Sequence, residues 1–159
     1  MGALMTITAW AGAPDIPLQD LDGRARNVNE FIGHAKWTIV VTWAHDCHIC
    51  DVEIHEMAAF HTAHHDNDAM VLGVTLDGAE FRKEARAFVK RHKLPFENLI
   101  TEPSQEVMMK FGAGKFVGTP TYYVYDPKGE IVGQNIGPLT RVEVEEFIAS
   151  FDQAPQNAK

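Results

Sequence analysis

The order of hydrophobic patterns along this chain predicts an α/β domain, a central mixed sheet flanked by helices. Three observations carry that prediction. Two predominantly apolar runs, residues 38–43 and 70–76, have the length and β-branched content of strands buried on both faces. Each is followed by a stretch with helical spacing of apolar residues, the pattern of parallel strands joined by helical crossovers. The chain then closes on a hairpin and a last helix, which adds antiparallel pairing.

Taken in order, residues 15–18 and 24–28 read as a short hairpin at the sheet edge, turned at Asp22-Gly23. Residues 29–33 are a turn or short helix. The buried strand 38–43 leads into a helix over 51–65, with Ile54, Met57, Ala58 and His61 at helical spacing. The buried strand 70–76 leads into a helix over 79–92, where Phe81, Ala85, Phe88 and Val89 form an apolar stripe. Ser104 caps a short helix reaching Phe111, with Pro103 just outside it. Strands 121–125 and 130–135 are joined by Asp126-Pro127-Lys128-Gly129, with Pro second and Gly last as a tight turn requires. Thr140 and Glu143 form a capping box for a last helix that turns Val144, Phe147, Ile148 and Phe151 inward. Residues 152–159 are polar and read as a loose tail.

A length of 159 residues is that of one domain able to bury a core. The net charge of −8, with no block of Lys or Arg, argues against nucleic acid or an anionic membrane surface as partner. No apolar run approaches the ~20 residues that span a bilayer. Residues 1–12 lack a positive n-region and read as an added segment or the remnant of a signal. That leaves a domain over 13–151.

The chemistry sits at Cys47-His48-Ile49-Cys50, which holds the only two cysteines of the chain. They lie where the first buried strand meets the following helix, and a pair so spaced can close into a small disulfide ring and reopen. Free backbone N–H groups and the positive dipole end of a helix favour thiolate over thiol there. A structural disulfide gains more by closing a long loop. A redox dithiol is therefore the favoured reading, against a buried inert pair or a metal site.

Three further motifs line up around it. Residues 13–23 (APDIPLQDLDG), Trp43-Ala44 ahead of Cys47 and Cys50, and Gly118-Thr119-Pro120-Thr121 followed by 126–129 resemble the thioredoxin-fold thiol–disulfide oxidoreductases of the TlpA/ResA type. The resemblance covers most of the chain. It implies a thioredoxin fold with an N-terminal β-hairpin extension, and a cis Thr119–Pro120 peptide beside the dithiol that offers its backbone to an extended substrate. It also implies an extracytoplasmic or periplasmic place, soluble or tethered through a removed N-terminal segment, though a cytosolic start fits the same residues. Protein thiols or disulfides are the implied partners, among them clients of cytochrome maturation. A monomer is expected, with no metal and no cofactor besides the Cys47–Cys50 disulfide.

The chain departs from the pattern close to the cysteines. Thioredoxins proper bury an Asp six residues before the first cysteine, where Val41 stands here. TlpA/ResA-type proteins place a Glu at the end of the next strand, where Gly78 stands, and Asp77 one residue earlier is either a proton acceptor or a turn residue. Asp46 replaces the usual aromatic before the first cysteine and opposes its thiolate by like charge. His45 and His48 offset that charge when protonated, so Asp46, His48 and Asp77 are candidates for tuning the dithiol.

On this reading Cys47 attacks a substrate disulfide and Cys50 resolves the mixed disulfide. Trp43 and Tyr122 furnish apolar surface nearby, and Thr119 and Pro120 receive the substrate. A reductase is favoured over an oxidant. Among the rivals, a zinc site from the two cysteines with His61 and His65 fails, because a helix puts His61 some ~16 Å beyond Cys50. A copper(I) chaperone-like module using the cysteines with His48 or His45 suits soft thiolate ligands. A peroxiredoxin-like peroxidase lacks its Pro between residues 38 and 46 and its Arg between 27 and 81.

Overall fold

The structure is a computed structural model that describes residues 12–153. The readings made of residues 1–11 and 154–159 lie outside the described residues. In chain order the elements are β1 (Pro17–Asp20), β2 (Ala25–Asn27), a short 3-10 turn (Val28–Glu30), β3 (Trp37–Trp43), α1 (His48–His64), β4 (Ala69–Thr75), α2 (Arg82–His92), β5 (Asn98–Ile100), α3 (Gln105–Met109), β6 (Thr121–Tyr125), β7 (Ile131–Ile136) and α4 (Arg141–Gln153).

All seven strands join one sheet in the order β2-β1-β5-β4-β3-β6-β7. The central strands β3 and β4 run parallel, with Trp37 opposite Ala69 and Trp43 opposite Thr75. β5 extends the parallel set beside β4. β6 lies antiparallel to β3, β7 antiparallel to β6, and the β1–β2 hairpin closes the far edge against β5. This is the mixed sheet of a thioredoxin fold with the expected N-terminal hairpin.

Side chains of β3 alternate between two apolar layers, as the pleat requires. Ile39, Val41 and Trp43 pack with Ile54, Met57 and Phe60 of α1, Phe88 of α2 and Ile148 of α4. Val40 faces the other layer, with Leu72, Tyr123, Met108 and Phe111. Every residue of β3 is buried, because layers cover both its faces. The capping boxes hold in detail: the Thr140 N–H donates to Glu143 Oε2 at 2.8 Å, and the Glu143 N–H to Thr140 Oγ1 at 3.3 Å. The Ser104 hydroxyl accepts from Val107 N–H at 3.3 Å and starts α3.

The main differences from the sequence reading concern three helices and one strand, most of the other elements shifting by one to two residues. α1 begins at His48 rather than residue 51, so Cys50 lies inside the helix. α2 begins at Arg82, after a loop containing Gly78 at φ +65°. α4 continues through Asp152 and Gln153. β5, with three residues, was not expected from the sequence at all.

Candidate active site

β3 delivers the site to the carboxyl edge of the sheet, where open α/β folds place their ligands. After Trp43 the chain makes a tight turn, in which the Cys47 N–H donates to the Ala44 carbonyl at 3.1 Å. Cys47 is the N-cap of α1, and its sulfur accepts the Cys50 N–H at 3.2 Å. The two cysteines are joined in a disulfide, with Cα atoms 5.2 Å apart. Cys50 is 1% exposed, whereas Cys47 is only half-buried and flanked by exposed Asp46, His48 and Ile49. Partners can reach Cys47 and not Cys50. The orphan N–H groups and dipole of the helix terminus favour negative charge on the sulfur placed there.

On the other side of Cys47 lies the loop before β6. The Thr119–Pro120 peptide is cis, and the Thr119 carbonyl oxygen lies 3.6 Å from Cys47 Sγ. That loop is pinned from two directions. The Thr121 N–H donates to Thr42 Oγ1 at 2.9 Å, and the Thr42 hydroxyl donates to the Thr121 carbonyl at 3.1 Å. The Pro120 carbonyl accepts the Gly137 N–H at 3.0 Å. β3 therefore positions both halves of the site, Cys47 through its end and Thr119 through Thr42.

Trp43 is corrected by the structure. It is 0% exposed, stacks on Phe88 at 4.4 Å and donates from Nε1 to Asn98 Oδ1 at 3.0 Å. It supports the site from beneath and offers no surface to a substrate. Tyr122 is likewise buried, and burial, with Glu53 and Glu56 adding to it, pushes its hydroxyl well above the ordinary range.

Asp77 is buried, but among the described residues its hydrogen bonds go to neither cysteine. The His45 N–H donates to both carboxylate oxygens at 3.1 Å, the His45 ring bonds Oδ1 through Nδ1 at 2.5 Å, and the Thr75 hydroxyl donates to Oδ2 at 2.5 Å. The spacing of 45 and 77 gives no local signal for this pair; only the parallel register of β3 and β4 brings their ends together. Asp51, just past Cys50, also escaped the sequence reading. Hydrogen bonds from Arg91 at 2.5 Å and His92 at 2.8 Å hold its carboxyl below the ordinary range.

Of the histidines on α1, His61 turns inward on the face that also carries Ile54 and Met57. It is 8% exposed, and its Nδ1 accepts the Val71 N–H at 3.0 Å. Among the described residues the one cluster of three potential metal-binding side chains is His45, Asp46 and Asp77, which contains neither cysteine nor His48.

Comparison with known proteins gives concordant results. The model of the AhpC/TSA family matches residues 11–134. Sporulation thiol-disulfide oxidoreductase A of Bacillus subtilis is 27% identical over 111 residues, 69% of this chain and 65% of that protein, so the chain spans just under two thirds of its length. Thiol-disulfide oxidoreductase ResA of Geobacillus thermodenitrificans is 23% identical over 145 residues, 91% of this chain and 79% of that protein. Among solved structures, the thioredoxin domain of a thiol-disulfide oxidoreductase from Bacteroides vulgatus superposes with a TM-score of 0.70 at 22% identity, covering 92% of this chain and 99% of that one. That likeness carries the fold.

Proposed function

Because the chain belongs to the AhpC/TSA family, and within it resembles thiol–disulfide oxidoreductases, we propose that it exchanges disulfides with protein partners through Cys47 and Cys50. The observation that carries this reading is the asymmetry of the pair. Cys47 is half-buried at a helix N-terminus, its sulfur accepts a backbone N–H at 3.2 Å and lies 3.6 Å from the Thr119 carbonyl oxygen, whereas Cys50 is 1% exposed.

In the reductive direction the Cys47 thiolate attacks one sulfur of a partner disulfide. The partner S–S bond breaks, a mixed disulfide forms, and the released thiolate takes up a proton. Cys50 then loses its proton and attacks Cys47 Sγ, which frees the second partner thiol and leaves Cys47–Cys50 oxidised. Two thiols of this chain have become two thiols of the partner, so electrons and protons balance. The Thr119 carbonyl is placed to accept a backbone N–H of an extended segment, which would hold the partner disulfide in line with Cys47. We favour the reductase direction, protein thiols or disulfides as partners, clients of cytochrome maturation among them, an extracytoplasmic site of action and a monomer.

A peroxidase is the rival enzymatic reading of the same cysteines. It is disfavoured by the absence of Arg from residues 27 to 81 and of Pro from 38 to 46, since a peroxidatic thiolate needs a cation to hold the peroxide. The deciding experiment uses two variants. Cys50→Ser should accumulate a mixed disulfide with a model protein disulfide, and Cys47→Ser should show no exchange above background. Exchange retained in Cys47→Ser overturns the assignment. Peroxide consumption faster than disulfide exchange in the unaltered protein replaces it with the peroxidase reading.

A further inference from the structure

We infer that His45, clamped by Asp77, is a positioning residue that couples the proton balance of Cys47 to its own; this rests on the thiol–disulfide reading above. The Asp77 side chain is 3% exposed. Burying a carboxylate costs several kcal/mol unless it is paired and hydrogen-bonded. Here both oxygens are occupied, by the backbone N–H and ring of His45 and by the hydroxyl of Thr75. The Asp77 N–H turns back onto Thr75 Oγ1 at 3.3 Å. Among the described residues the imidazole is the one group bonded to this carboxylate that can carry positive charge. Arg82, at the start of α2, is directed instead to Gln19 Oε1 at 2.7 Å.

The clamp acts on the site in two ways. His45 stands two residues before Cys47, and the Cys47 N–H closes on the carbonyl of Ala44. Tying residue 45 to the end of β4 therefore fixes the turn that aims the sulfur. The second effect is electrostatic. A ring whose Nδ1–H is held by a carboxylate has its orientation and tautomer set, and Nε2 is left to gain or lose the proton. The His45 side chain is 24% exposed and one face is covered by the Phe81 ring at 5.0 Å, so the imidazole is not sealed from water.

Of the titratable groups beside this ring, Asp77 comes from the end of β4 and Asp46 from its own turn; Phe81, ahead of α2, is uncharged. Protonated at Nε2, His45 carries a positive charge in the turn that ends at Cys47. Imidazolium and thiolate then favour one another, and by linkage each exchange step that makes or consumes the Cys47 thiolate shifts the proton on His45. Two unit charges held near one another in a partly wet site change each other's equilibrium by about 3–10-fold, which is the effect expected on the thiolate population.

The test reads the Cys47 thiolate in the reduced full chain, through its rate of alkylation by iodoacetamide across the range of His and Cys titration. His45→Gln should slow alkylation about 3–10-fold on the acid side, where the unaltered ring is protonated, and leave the alkaline rate unchanged. Asp77→Asn, which keeps an acceptor for the His45 amide, should move the acid-side rate the same way by less. A purely structural role would change the rate by one factor at every pH, and that outcome overturns the proposal. A second readout needs no variant: in the unaltered protein the His45 ring signals should titrate at higher pH when the dithiol is reduced than when it is oxidised. Coincident curves overturn it as well. Failure of the thiol–disulfide reading shows separately, as no turnover of any protein disulfide by the unaltered chain, whereas alkylation needs no client.

Discussion

At its N-terminal end helix α1 presents His48 to solvent beside Cys47, whereas at its C-terminal end the His61 ring is 8% exposed and its Nδ1 accepts the Val71 amide of β4. The N-terminal end meets three loops, those holding His45, Asp77 and Thr119, and its polar groups stay open to exchange. The C-terminal end meets a strand and another helix: Val71 lies on β4, and Glu145 of α4 bonds His64 at 2.9 Å. One residue type on one helix is thus open to solvent beside the dithiol at one end and part of the packing at the other. What separates the two uses is whether a loop or a packed element covers the ring.

The largest effect that separates the ends on stability is expected from His61→Ala. It removes a ring packed near Phe96 and His65 and leaves the Val71 N–H without its acceptor. A large-to-small change in a packed site together with an orphaned backbone donor costs about 3–5 kcal/mol. Urea unfolding measures this, with the exchange rate per folded molecule unchanged. A loss within experimental error, or a fall in exchange rate in the protein that remains folded, would break the division between the ends.

The same ring makes a pH prediction. Burial, with the charges of His65 and Lys36 adding to it, lowers the His61 pKa from its ordinary 6.5 to about 4. The unfolded chain therefore takes up this proton at higher pH than the folded one. The contribution of His61 is full above about 6.5 and drains as pH falls through the interval down to about 4. Over that interval the linkage amounts to about 2–3 kcal/mol. Unfolding free energies of the parent and His61→Asn at a series of pH values test it, the parent showing the steeper acid loss. Parallel curves would mean that His61 is not held neutral.

Much of this architecture was legible in the sequence because it follows from pattern. The runs 38–43 and 70–76 could only be interior strands, and capping residues such as Ser104 and Thr140 announce helix starts locally. The dithiol was legible because CxxC at a strand-to-helix junction is a compact signal. β5 was not, since three residues are too few to show a period. The His45–Asp77 pair was not, since it depends on which strands lie side by side. Trp43 was misplaced for a related reason: an aromatic at the end of a strand reads alike whether it faces solvent or Phe88, and only the placement of α2 decides.

The smallest effect sharpens the comparison within the C-terminal end itself. Burial works against charge on His64, but hydrogen bonds with Glu145 at 2.9 Å and Asp68 at 3.0 Å outweigh it and raise the pKa above the ordinary value. The sign is opposite to that of His61: the folded chain holds this proton more tightly, so the contribution is full below the ordinary value and is lost as pH rises through the raised one. The C-terminal end of a helix also favours a cation there. His64→Gln should cost about 0.5–1 kcal/mol on the acid side of that transition and less on the alkaline side, since the pairs are partly exposed. Thermal unfolding on either side measures it. A larger loss on the alkaline side would mean that His64 packs against Phe60, 4.5 Å away, as a neutral ring, and that His61 and His64 do the same work.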